Sequence, residues 1–217
     1  MELGLLSILG IGFILGIKHA IEPDHVIAVS TIASQSKKLF KSSLAGVFWG
    51  LGHTLTLFII GMVIILMKGT ISDAWAMSLE FLVGMMLVYF GYVAMTSYQK
   101  AKRKQGEIIN HKGFYLKSMF IGLIHGLAGS AAMVLLTMST VESLLEGALY
   151  ILIFGVGTVI GMLVFTTILG IPFVLSQNKL VINRVLTQVT GFISLVFGVY
   201  YMYNLGITEG LFKMWMQ

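Results

Sequence analysis

The stretch Lys18-His19-Ala20-Ile21-Glu22-Pro23-Asp24-His25 interrupts an apolar run that begins at Leu3 and resumes from Val26 to Ser36. As a helix, Leu3 to Ile17 would rise only about 22 Å, short of a hydrocarbon core of about 30 Å, so it crosses a membrane only by continuing through these ionisable residues. The expectation is a first span over about residues 3–36 with charged groups at membrane depth. An unbroken helix would set Asp24 about 140° and His25 about 120° around the axis from His19, too far apart to meet on one ion. Pro23 changes this, because it has no N–H for the carbonyl of His19 and its ring crowds that carbonyl. The first helix is therefore expected to break near Pro23. A broken transmembrane helix presents side chains and freed carbonyls to a cation.

The rest of the 217-residue chain fits that setting. It is 57% hydrophobic and 11% charged, with a mean hydropathy of +0.94. Soluble proteins carry about 25% charged residues, so a soluble enzyme is excluded and a polytopic, all-α membrane protein is expected. With no cysteine, thiolate metal sites and cysteine nucleophiles are excluded, and a transition metal must be held by nitrogen and oxygen. Charge-poor runs place five more spans at about 42–67, 79–99, 118–141, 147–175 and 185–208. Of the 14 basic residues, eleven fall in the connections after spans one, three and five: Lys37, Lys38, Lys41, Lys100, Lys102, Arg103, Lys104, Lys112, Lys117, Lys179 and Arg184. Lys68 and Lys213 lie on the other side. Retained basic residues mark the cytoplasmic face, which puts both termini outside a cytoplasmic membrane and explains the net charge of +5 without nucleic acid.

Shifted by about 105 to 107 residues, the chain resembles itself. Gly16 to His19 matches Gly122 to His125, Gly50 to Gly52 matches Gly155 to Gly157, and Gly84 to Gly91 matches Gly191 to Gly198. Three spans per repeat would invert one half relative to the other, the plan of many secondary transporters. The organisation expected is a first repeat over 1–99, a basic cytoplasmic loop over 100–117 and a second repeat over 118–217. Six transmembrane helices would thus form an inverted 3+3 repeat.

Ionisable residues cost free energy in hydrocarbon and usually mark function there. His19, Asp24 and His25 are the leading candidates for metal ligands. His53 and His125 join them because each sits on a glycine-lined helix face, where a neighbouring helix packs closest. A single such histidine more often just bonds another helix; four beside a carboxylate favour a common site. Glu22 and Lys18 are four apart and placed to pair, leaving Asp24 the better ligand and Glu22 a further candidate. Lys18 offsets one of these two carboxylates. No intramembrane acid beyond Glu22 is expected to relay protons, so carriage of a dication should be electrogenic. His111 falls in the basic loop, Glu142 and Glu146 in an outer loop, and Thr54, Ser130 and Thr158 beside the glycines.

The run from Lys18 to Val26 resembles the H-x4-D-H signature of the nickel/cobalt transporter family, R-H-A-x-D-A-D-H-I, with His19, Ala20, Asp24 and His25 matching and Pro23 in place of an alanine. Gly52, His53 and Thr54 resemble the family's L-G-H-[ST] element. The stretch from His125 to Ser130, H-G-L-A-G-S, and the lack of a further span at either end look more like the short, UreH-like urease-accessory branch. This resemblance implies a permease, not an enzyme, taking up Ni²⁺ or Co²⁺ as cargo with no other cofactor, and a functional link to urease or another nickel enzyme. No G-x-x-x-x-G-K-[ST] loop for a nucleotide occurs. The other readings are a divalent metal efflux carrier, a membrane haem protein with paired histidines, and a membrane metallohydrolase, for which H-E-x-x-H is missing.

Overall fold

A computed structural model describes residues 2–36, 38–67, 72–101, 111–140 and 143–216, with side chains described for 4–36, 38–67, 72–96, 113–128 and 143–216. Glu142 and residues 102–110 of the basic loop lie outside the described residues, as do the side chains of His111 and Ser130. All regular structure among the described residues is helical: α1 Glu2–His19, α2 Pro23–Ala33, α3 Leu39–Met67, α4 Asp73–Ala101, α5 His111–Thr140, α6 Leu144–Leu175, α7 Leu180–Tyr203 and the short α8 Leu211–Trp215, with a π turn over Asn204–Thr208. Helices satisfy every backbone group internally, which an apolar environment demands. The two prolines mark departures. Pro172 sits in the last turns of α6, whereas Pro23 ends one helix by starting the next.

That break follows from Pro23 and its neighbour. The residue before a proline is driven out of the α region, and Glu22 has φ −61° and ψ 146°. The chain leaves α1 at His19, turns through Ala20, Ile21 and Glu22, and restarts with Pro23 as the first residue of α2, where a missing N–H costs nothing. The axes of α1 and α2 differ by 56°.

Glycine faces set the packing. A Cβ on Gly16 of α1 would run into the Phe154 carbonyl of α6, and one on Gly122 of α5 into the Trp49 carbonyl of α3. Gly52 likewise abuts the Met119 carbonyl, and Gly157 abuts that of Phe13. Between α4 and α7, Gly91 meets the Gly191 carbonyl and Gly84 that of Gly198. Each of these three pairs consists of positions that the 105–107 residue shift exchanges. The Ser194 hydroxyl donates to the Leu87 carbonyl at 2.9 Å, again between shift-related residues.

The outward surface is apolar. Leu6, Ile14, Leu55, Tyr89, Leu145, Leu152, Val189 and Phe192 are exposed, and the buried residues of α7 are Gly191, Ser194 and Gly198. Such a surface suits lipid rather than water. By length and composition, four described helical stretches can cross a membrane: Leu39–Met67, Asp73–Thr96, Leu144–Leu175 and Leu180–Thr208. The bent pair Gly4–His19 and Pro23–Ala33 makes a fifth. The protein is a multi-pass, all-helical membrane protein.

Candidate metal centre

The break in the first helix delivers His19 from the end of α1 and Asp24 and His25 from the first turn of α2. α3 brings in His53, and α5 brings in His125. His19 Nε2 lies 3.1 Å from His53 Nε2, and the ring centroid of His25 is 4.4 Å from that of His19, 5.2 Å from His53 and 4.9 Å from His125. Asp24 reaches both ways, with Oδ1 3.0 Å from His25 Nδ1 and Oδ2 3.6 Å from His125 Nε2. Two overlapping triads result: His19, His25 and His53, and Asp24, His25 and His125, with one candidate ligand atom per residue and these atoms all within 4.8 Å of one another in each triad. His25 belongs to both.

His25, His53 and His125 are no more than 3% exposed, yet among the described residues His25 Nε2, His53 Nδ1 and His125 Nε2 have no hydrogen-bond partner. Buried polar groups are normally satisfied, because leaving one unpaired costs about 1–3 kcal/mol. Imidazoles bind a transition ion as neutral ligands, so unpartnered ring nitrogens around a carboxylate suit a dication as cargo. Two nitrogens each about 2.0–2.1 Å from one ion stand about 3 Å apart, which is close to the His19–His53 separation. Trp49 packs over His25 and His125 at 5.3 and 4.9 Å between ring centroids, and Phe154 lies 5.4 Å from His19, so one side of the cluster is walled from water.

Two carboxylates are placed otherwise than the sequence suggests. The Glu22 carboxylate meets His19 Nδ1 at 2.9 Å instead of pairing with Lys18, because the turn after His19 brings the i+3 position back over the end of α1. That holds the ring by the nitrogen facing away from His53, an outer role that fixes ring orientation. Glu80 of α4, counted from sequence at the edge of the third span, lines the same cavity of about 270 Å³ as Lys18, His19, Glu22, Asp24, His25 and His125. Tyr201 of α7, which donates to Glu80 Oε2 at 3.0 Å, lines it too. The sequence suggests no intramembrane acid beyond Glu22 as a proton relay, and Glu80 adds one to the cavity wall: an acid seven residues inside α4 is invisible to a search for charge-free runs. Thr54 and Thr158 donate to the Gly155 and Gly16 carbonyls of neighbouring helices, at 3.3 and 3.2 Å.

A membrane protein whose helices gather imidazoles and a carboxylate beside a cavity has the donor set a transition-metal ion needs, and comparison with known proteins gives the class, metal-ion transport proteins. Residues 5–99 match the family described as high-affinity nickel-transport protein. The urease accessory protein UreH of a Bacillus strain is 64% identical over the whole of this chain and 99% of its own. A protein of Methanocaldococcus jannaschii provisionally named a nickel/cobalt efflux system is 27% identical over 87% of this chain and 88% of its own. The chloroplast protein FOR GROWTH AND FERTILITY 1 of Arabidopsis thaliana is 26% identical over 73% of this chain and 48% of its own. No solved structure matches. The chain belongs to the nickel-transport family, on its short UreH-like branch, and is a transporter rather than an enzyme.

Proposed function

We propose that this protein is a secondary permease that takes up Ni²⁺, with Co²⁺ as a second cargo, across the cytoplasmic membrane. The ion is held by His19, His25, His53, Asp24 and His125, and Glu22 orients His19. The observation that carries the reading is the pair of ligand triads sharing His25. The family match and the nickel in its description support the cargo, and the name of the Bacillus relative supports a link to urease or another nickel enzyme.

The architecture in this reading is six spans in an inverted 3+3 repeat: 1–99, the basic loop 100–117 and 118–217. α5, a helix of 30 residues, is the span not counted above. The reciprocal glycine contacts between shift-related positions support this plan, and the eleven-to-two asymmetry of basic residues supports outside termini. The repeat also suggests how the ion moves. His19 and His125 are counterparts under the shift, and each belongs to a different one of the two triads that share His25. When the two halves exchange conformations, the ion passes from one triad to the other while His25 and its carboxylate neighbour keep it coordinated. A naked dication is thus never left in hydrocarbon. Haem is disfavoured, since His19 and His53 meet directly at 3.1 Å with no gap for a macrocycle.

The test is accumulation of radioactive nickel and cobalt by cells expressing the chain. Accumulation above the level of cells carrying His25→Ala is expected, with unlabelled cobalt competing. Metal depletion relative to that control would instead establish efflux, the direction in the name of the archaeal relative.

A further inference from the structure

Glu80 stands apart from the histidine cluster. It lies about 10 Å along α4 from the helix start at Asp73, half-buried, on the wall of the histidine-lined cavity. Its Oε2 accepts the Tyr201 hydroxyl at 3.0 Å, and among the described residues Oε1 takes no hydrogen bond. Tyr201 belongs to the last turn of α7, so the pair joins α4 and α7 at the end of each helix that the basic-residue asymmetry puts outside. The cavity wall carries three carboxylates, Glu22, Asp24 and Glu80, against the single ammonium of Lys18, a formal charge of −2 when the histidines are neutral. That equals the counter-charge of one divalent cation. Of the three acids, Glu22 faces the outer nitrogen of His19 and Asp24 lies between His25 and His125. Glu80 alone is held by a neutral phenol, with an oxygen left for a ligand. The unpartnered, buried nitrogens of His25 and His125 line or adjoin the same space, so a cation at Glu80 has a site to move on to.

We infer that Glu80, oriented by Tyr201, is the capture residue of the transport path: it binds the incoming hydrated divalent cation through Oε1 before the ion reaches the histidines. The inference rests on reading the histidine cluster as the metal centre. A carboxylate held by a neutral donor rather than by a cation of the chain is left to pair with the ion and suits a hydrated cation, whereas the imidazoles suit the ion once it has shed water. The attraction acts across a partly enclosed cavity, where it is screened less than at an open surface.

Glu80→Gln separates capture from a helix-pinning role, because the amide oxygen can still accept from Tyr201 while the charge is gone. Tyr201→Phe does the reverse. Initial rates of Ni²⁺ uptake are measured in proteoliposomes of the full chain, at low and high ionic strength, with equilibrium Ni²⁺ binding as the control for the histidine centre. In Glu80→Gln, KM for Ni²⁺ should rise about tenfold with kcat within twofold, and its dependence on ionic strength should weaken. Tyr201→Phe should raise KM about threefold, and Glu80→Asp should recover part of the loss. Should Glu80→Gln fail to insert, the KM of Tyr201→Phe still decides. Unchanged KM in every inserted variant overturns the capture role, as does an effect on thermal stability alone. Loss of Ni²⁺ transport in His25→Ala beside a silent Glu80→Gln leaves the metal centre standing and removes only Glu80, whereas full transport in His25→Ala removes the centre itself.

Discussion

His25 holds the densest set of relationships in the molecule: Asp24 on its Nδ1, an unpartnered Nε2, and His19, His53 and His125 around its ring. Removing one ligand from a centre of this size leaves the ion under-coordinated in a poorly solvated place. His19→Ala, Asp24→Asn and His25→Ala are each expected to weaken equilibrium Ni²⁺ binding more than about 100-fold, and Glu22→Gln about tenfold, because it only orients His19. His111→Ala should bind as the parent does. Isothermal titration of the detergent-solubilised protein reads all five, and parental affinity in the first three would remove the assignment. Much of this cluster was legible in sequence, since His19, Asp24 and His25 are ionisable residues crowded around a proline inside an apolar run. His53 and His125 were legible through the glycines on their helix faces. Glu80 was not, because its partner Tyr201 is 121 positions away and no local pattern ties the two together.

At the scale of helices, close approach is bought with glycine. Gly16 lets α1 touch the α6 backbone, and a methyl group there meets the Phe154 carbonyl, which cannot rotate away as a side chain could. Gly16→Ala is expected to destabilise the protein by about 1–3 kcal/mol. Gly10→Ala, six residues earlier in the same helix, meets nothing within 4 Å and should be neutral or slightly stabilising. Thermal unfolding in detergent distinguishes the two, and equal midpoints would show that the α1–α6 crossing is looser than described. Helix positions were readable from the apolar runs. Helix ends were less so: α3 begins at Leu39 and includes Lys41, and α4 begins at Asp73, because helical hydrogen bonding does not stop where charge begins and long side chains reach out to polar surroundings. The break at Pro23 was readable from the proline itself. The orientation of α2 after it was not, since it depends on what α2 packs against.

For the whole molecule the decisive quantity is charge moved per cycle. Glu80 makes the formal charge of the cavity −2, so the loaded cavity is neutral and the empty one negative. Over a complete cycle without proton exchange, the net transfer is still the cation's own two charges, whichever step carries them. An inside-negative potential of about 100 mV then supplies about 4.6 kcal/mol, equivalent to a roughly 2000-fold concentration ratio, enough to scavenge a trace metal. The most direct measurement is the initial rate of radioactive nickel influx into proteoliposomes under a potassium–valinomycin diffusion potential, negative inside, at equal pH on both sides. The expected result is influx that accelerates with the potential in the parent protein and is lost in His25→Ala. Nickel carried by His25→Ala at the parental rate, or parental influx that ignored the potential and followed an imposed pH gradient alone, would contradict electrogenic transport through the histidine cluster.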